Sequence, residues 1–393
     1  MAGKEGGSAV SSFIRRALLP LLFLRAVAVF AQSPDAVIIE RLPEGAVQPQ
    51  VAVDARGDAH LIYLKGDPPK CDIFYARRRP GDSVYGPPLR VNSQPGSAIA
   101  VGTVRGPRLA VDGAGRPHVA WIGSQPSEPR GPEGATPLLY ARLADGGDSF
   151  DPQRNVMQWA AGLDGGAALA ADDAGHVAVL WHAGPGAKDE AERSIYLAAS
   201  SDGGRTFARE RRIIEAPVGA CGCCGMQATV TASGEVVALY RAATANHARD
   251  TCLLRWKPGE AAARLTKLQP WDVMTCPMST FALAPVGARL AAAWETQGQV
   301  YFSRDALAES PSPIAATGRA TNRKHPALAV AADGRMALAW AEGTGWQRGG
   351  AVAWQLYDAA SNPVGETARR DGLPVWGMPA VYAGPDGRFV VLF

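Results

Sequence analysis

Seven copies of one hairpin run through the sequence, and no other feature restricts the fold as tightly. Each copy is an apolar strand, a glycine-bearing turn and a second apolar strand that ends in an aromatic residue. The copies occupy residues 49–63, 107–121, 167–181, 228–240, 281–294, 327–340 and 380–393. Their turn glycines are Gly57, Gly115, Gly175, Gly234, Gly287, Gly334 and Gly387, at successive spacings of 58, 60, 59, 53, 47 and 53. Six residues after the glycine stands Tyr63, Trp121, Trp181, Tyr240, Trp340 or Phe393, and only the fifth copy slips by one position, to Trp294.

Between hairpins a third strand is legible as residues 73–77, 138–142, 195–200 and 300–304. Four short strands in each unit of about 40–60 residues is the pattern of a propeller blade. A helical reading fails because the apolar runs are short and broken by Gly and Pro. The expected fold is all-β: one propeller of four-stranded antiparallel blades, seven favoured and six the alternative. The strand at 37–42 has no hairpin and the last hairpin has no outer half, so the two are expected to share a blade and close the ring.

The formal net charge is +3 without basic blocks, which leaves no footprint for nucleic acid. Residues 1–31 read as a signal peptide: Lys4, Arg15 and Arg16 precede the apolar run 17–24, and Val29-Phe30-Ala31 resembles a cleavage site. Arg15-Arg16 leaves both Sec and Tat export open, and the apolar run is short for a membrane anchor. The mature domain is then 32–393, a periplasmic or secreted monomer.

The stretch Ser200, Ser201, Asp202, Gly203, Gly204, Arg205, Thr206, Phe207 matches S-x-D-x-G-x-T-[W/F], and a degenerate copy lies at 145–150. This resembles the Asp-box of the sialidase-like propellers (the BNR-repeat superfamily). The resemblance implies that Ser200, Asp202, Gly204, Thr206 and Phe207 form a structural turn and that function lies on the opposite loop face. Hydrolases of that family hold a substrate carboxylate with three arginines, the first in an Arg-Ile-Pro motif. Here that place reads Gln48-Pro49-Gln50, while Arg41-Leu42-Pro43 falls too early. The substitutes on the expected face are Arg108, Arg241 and Arg323, with Asp67 or Asp72 as acid, Glu295 as the partner carboxylate and Tyr382 as nucleophile.

The cysteines and methionines point elsewhere. Cys71, Cys221, Cys223, Cys224, Cys252 and Cys276 all fall in or beside loops expected on that face, and Met226, Met274, Met278 and Met378 directly precede inner strands. Two readings follow. An exported chain with an even cysteine count can be disulfide-stapled, with Cys221–Cys252 or Cys223–Cys276 as reasonable pairs. Alternatively, Cys221, Cys223, Cys224, Cys252, Cys276, Met226, Met274 and Met278 form a thiol-redox or soft-metal rim. Thiolate and thioether donors favour copper(I), and the absence of paired CxxC spacing argues against structural zinc. The function expected is therefore a binding propeller for a metal ion, a small ligand or a glycan. An exo-acting glycoside hydrolase with a non-standard site is the alternative. His60 and His118, at equivalent repeat positions, are expected to serve packing.

Overall fold

The computed structural model describes residues 36–214, 218–318 and 322–393. The expected export segment, 1–31, lies outside the described residues. Among those described, no helix is long and apolar enough to cross a membrane.

Seven sheets form the domain, six of four strands and one of three. Blade 3 is representative: Ala167–Ala171, Val177–Ala183, Ser194–Ser200 and Arg211–Arg212 follow one another as antiparallel neighbours. The first strands of blades 1 to 7 begin at Ala46, Arg108, Ala167, Gln227, Ala282, Arg323 and Ala380. Each touches the first strand of the next blade, and the seventh touches the first, so the ring is complete. The closure differs from the regular blade. Val37–Glu40 pairs in parallel with Phe389–Leu392, which pairs antiparallel with Ala380–Ala383, leaving blade 7 with three strands.

The hairpin pattern has a direct physical cause. All seven turn glycines take positive φ, between 59° and 84°, a region costly for residues with a Cβ. In blades 1 to 3 an aspartate precedes the glycine by three residues. Its carboxylate accepts from main-chain N–H groups two and four residues ahead, as Asp54 does from Arg56 and Asp58.

The hairpin aromatics fill the gaps between blades. Trp121, Trp181, Trp294 and Trp340 are completely buried. Their indole N–H groups donate to Ser97 O, Ala160 O, Gln269 Oε1 and Glu342 Oε1 respectively, so large apolar surface is buried with no polar atom stranded. Seven apolar clusters result, one at each interface between neighbouring blades. His60 and His118 do serve packing, with Nδ1 2.9 Å from the Tyr75 hydroxyl and 2.7 Å from the Tyr140 hydroxyl.

The Asp-box turn is built as its residues suggest. Ser200 Oγ donates to Asp202 Oδ1 at 2.7 Å, and Thr206 donates its N–H to the same oxygen and its hydroxyl to Oδ2. These donors hold the Asp202 carboxyl far below the usual carboxylate range. Gly204 takes φ +73° and sits where a Cβ would collide with the Tyr140 hydroxyl. Phe207 packs edge-on against Tyr140 at 4.9 Å. The N–H of Gly203 donates to Gly175 O, joining the Asp-box to the hairpin turn on one rim. The loops leading into the inner strands lie at the other end of the strands.

Candidate metal centre

The loop into blade 4 brings three thiols together. Cys221 N donates to Arg241 O, Cys224 N to Cys221 O, and Gly225 N to Ser279 O, so the segment folds as a tight turn clamped to blades 4 and 5. Gly222 and Gly225 permit this packing: a Cβ on either would press against the guanidinium of Arg193 or Arg108. Cys221 Sγ lies 3.3 Å from both Cys223 Sγ and Cys224 Sγ, and the three sulfurs fall within 4.8 Å of one another.

Charge around the cluster favours one thiolate. Burial by itself would raise the Cys224 thiol, but the contacts with Cys221 and Cys223 and the nearby Arg241 guanidinium reverse this and hold it well below the ordinary value. Cys223 is pushed up by its contacts with Cys221 and Cys224 and by burial. Arg249 is buried and pairs with Glu190 at 2.6 Å. Burial opposes its charge, yet Cys221 and Glu190 more than compensate and raise its pKa.

His182 stands close enough for the charge of Cys224 to act on it, and its imidazole is completely enclosed. Burial lowers its pKa to about 4, leaving it neutral at pH 7. Among the described residues neither ring nitrogen has a hydrogen-bond partner. Sequence reading treated His182 as a polar loop residue. Its position next to the hairpin aromatic Trp181 is the signal that it ends a buried strand.

The other sulfur residues separate from this cluster. Cys71 and Cys252 are not loop residues: they lie in the third strands Lys70–Arg78 and Thr251–Trp256, buried in the interfaces between blades. A strand start after a polar loop carries no distinct sequence mark, which is why both read as loop cysteines. Burial pushes each of their thiols up to about 12. Met226 also belongs to the core between blades 3 and 4. Cys276 and Met274 are exposed, and Met278 lines a cleft at the channel mouth. All six cysteines are free thiols, so neither Cys221–Cys252 nor Cys223–Cys276 is bonded.

The residues considered for a hydrolase site are dispersed. Arg108 reaches across from blade 2 to Met226 O and also donates to Gly106 O and Pro107 O; burial lowers its pKa to about 10. Arg241 donates to Arg249 O, Glu295 O and Ser279 Oγ, with its guanidinium 4.8 Å from the Trp271 ring centre. Arg323 pairs with Glu342 at 3.1 Å and donates to Gln299 Oε1 and Thr317 O. Asp72 accepts from Asn92 and Gly96, while Asp67 is exposed beside Lys70. Glu295 is buried, which raises its pKa; Oε1 accepts from Gly298 N. Tyr382 packs between blades 7 and 1, its hydroxyl 3.4 Å from that of Tyr85.

No family model matches the chain, and no curated protein matches it. Solved structures do. A protein of unknown function from Dyadobacter fermentans is 15% identical, with a TM-score of 0.50 over 85% of this chain and 96% of its own. The Hadza microbial sialidase Hz136 is 15% identical, with a TM-score of 0.49 over 80% and 69%. The α-L-arabinanase of Penicillium chrysogenum is 14% identical, with a TM-score of 0.48 over 84% and 94%. At such identities the likeness is one of fold, and with the Asp-box at Ser200–Phe207 that fold is a sialidase-like β-propeller.

Proposed function

We propose that this chain is an exported metal-holding propeller in which Cys221, Cys223 and Cys224 bind one copper(I) ion. The observation that carries the reading is the convergence of three unbonded sulfurs within 4.8 Å. Three thiolates with no fourth ligand atom in the group suit copper(I) better than zinc, which takes four ligands in structural sites. Two features support a cation here. Cys224 is held toward its thiolate form, the state that ligates metal. The imidazole of His182 is neutral, buried and unpartnered among the described residues, and a nearby cation would give it a partner.

The hydrolase alternative draws less support, since Arg108, Arg241 and Arg323 each spend their donors on protein acceptors. The leader-like residues 1–31 support a periplasmic or secreted setting.

The test is elemental analysis of the mature chain expressed in the periplasm, beside a thiol count under denaturing, metal-chelating conditions. The expected result is about one copper per chain and six thiols, with the copper lost in C223S and in C224S. Zinc in its place would overturn the choice of metal. Absence of metal together with oxidised cysteines would overturn the reading altogether.

A further inference from the structure

At the channel mouth, away from the thiols, the loops into blades 2, 5, 6 and 7 enclose a cleft of about 430 Å³, within the range of small-molecule sites. Its floor is His325. Thr103 Oγ1 lies 2.9 Å from Nε2 and Thr280 Oγ1 3.3 Å from Nδ1, so both ring nitrogens are engaged and the ring is fixed.

One wall is aromatic. Trp346 is 58% exposed, a rare state for an indole, and meets Trp376 at 6.3 Å between ring centres with the planes 69° apart. The Trp376 N–H is buried and, among the described residues, has no acceptor. The charged residues of the cleft are both cationic. Lys324 Nζ uses one donor on Pro277 O, and Arg348 is exposed with no ion pair among the described residues. No described residue lining the cleft is an aspartate or glutamate.

The backbone here is also unusual. Met278, His325, Gln347 and Trp376 take φ of 49°, 53°, 53° and 58°, the left-handed region that residues with a Cβ rarely adopt. Such conformations cost on the order of 1 kcal/mol each and concentrate at binding sites.

We infer that this cleft binds a small ring-bearing carboxylate, its acid group on Arg348 and Lys324 and its ring against Trp346. A cationic ligand would be repelled, and a neutral one would leave two cations uncompensated. A guanidinium fork matches a carboxylate, and an exposed indole face offers a flat surface for a ring. A sugar acid and an aromatic acid share this chemistry. The inference is independent of the copper reading, because none of the three clustered thiols lines the cleft.

The test is calorimetric titration of the mature chain with glucuronate, benzoate and, as neutral control, glucose. Saturable binding of glucuronate alone identifies a sugar-acid site, and of benzoate alone an aromatic-acid site; either supports the inference, as does binding of both. Arg348→Ala and Trp346→Ala, both at exposed positions and so expected to keep the parent Tm, should each weaken binding at least tenfold. Arg348→Lys should retain part of it. If neither acid binds, if glucose binds equally well, or if either alanine variant binds like the parent, the inference is overturned.

Discussion

Thr103 and His325, far apart in the chain, meet at 2.9 Å across the mouth of the channel and tie blade 2 to blade 6. Both are buried, so each depends on the other for a polar partner. Thr103→Val should cost about 1–3 kcal/mol by leaving Nε2 unpaired. His325→Ala should cost more, because it also strands Thr280 and opens a cavity. Urea unfolding midpoints measure both.

His182 and His325 make stability depend on pH in a definite direction. Burial lowers their pKa values to about 4 and about 3, from an ordinary 6.5. Below pH 6.5 the unfolded chain takes up protons that the folded chain refuses, so acid favours unfolding. Each histidine should contribute a slope of roughly 1.4 kcal/mol per pH unit between about pH 6 and pH 4.5, with stability falling as pH falls. Denaturant midpoints at pH 7 and pH 5 should differ, and the difference should shrink by half in His182→Ala.

Arg241 is a structural clamp with an electrostatic duty. Its guanidinium bridges three acceptors in blades 4 and 5, lies against Trp271 and acts on Cys224. Arg241→Met should destabilise by about 3–5 kcal/mol, since buried acceptors lose their donors together with the charge. Lysine lacks the fork and should restore little of this. Copper affinity measured at pH 6 should fall further than at pH 8, because the Cys224 thiolate becomes harder to form.

The thiols should react in a fixed order. Native-state alkylation followed by mass spectrometry should label exposed Cys276 first and leave Cys71 and Cys252 unmodified until unfolding, because burial both hides and protonates them. Copper(I) should protect Cys223 without protecting Cys276.

The scaffold was legible because its determinants are local. A glycine at positive φ and an aromatic six residues later recur wherever a hairpin must turn and fill a gap, so blade number and closure could be read directly from Gly57 through Phe393. The thiol cluster was legible in part, since Cys221, Cys223 and Cys224 are neighbours in sequence. The fates of Arg108, Arg241 and Arg323 were not. Their acceptors are mostly main-chain carbonyls from distant segments, and a carbonyl has no letter in a sequence. The channel-mouth cleft escaped for a related reason. Trp346 and Trp376 fall outside the hairpin positions, a usable signal, but only the closed ring brings them together.

The pairing of Val37 with Phe389 sets a timetable. About 350 residues must be synthesised between the two halves of that latch, so a growing chain exists for most of its synthesis as an open arc. Until the arc shuts, the faces that end around Tyr63 at one end and Tyr382 at the other remain wet and adhesive, able to join a second arc as readily as each other. The quality-control burden of this protein therefore falls on the interval between completion of the sixth blade and arrival of the last strand. A factor that shields nascent chains has its greatest effect in that interval.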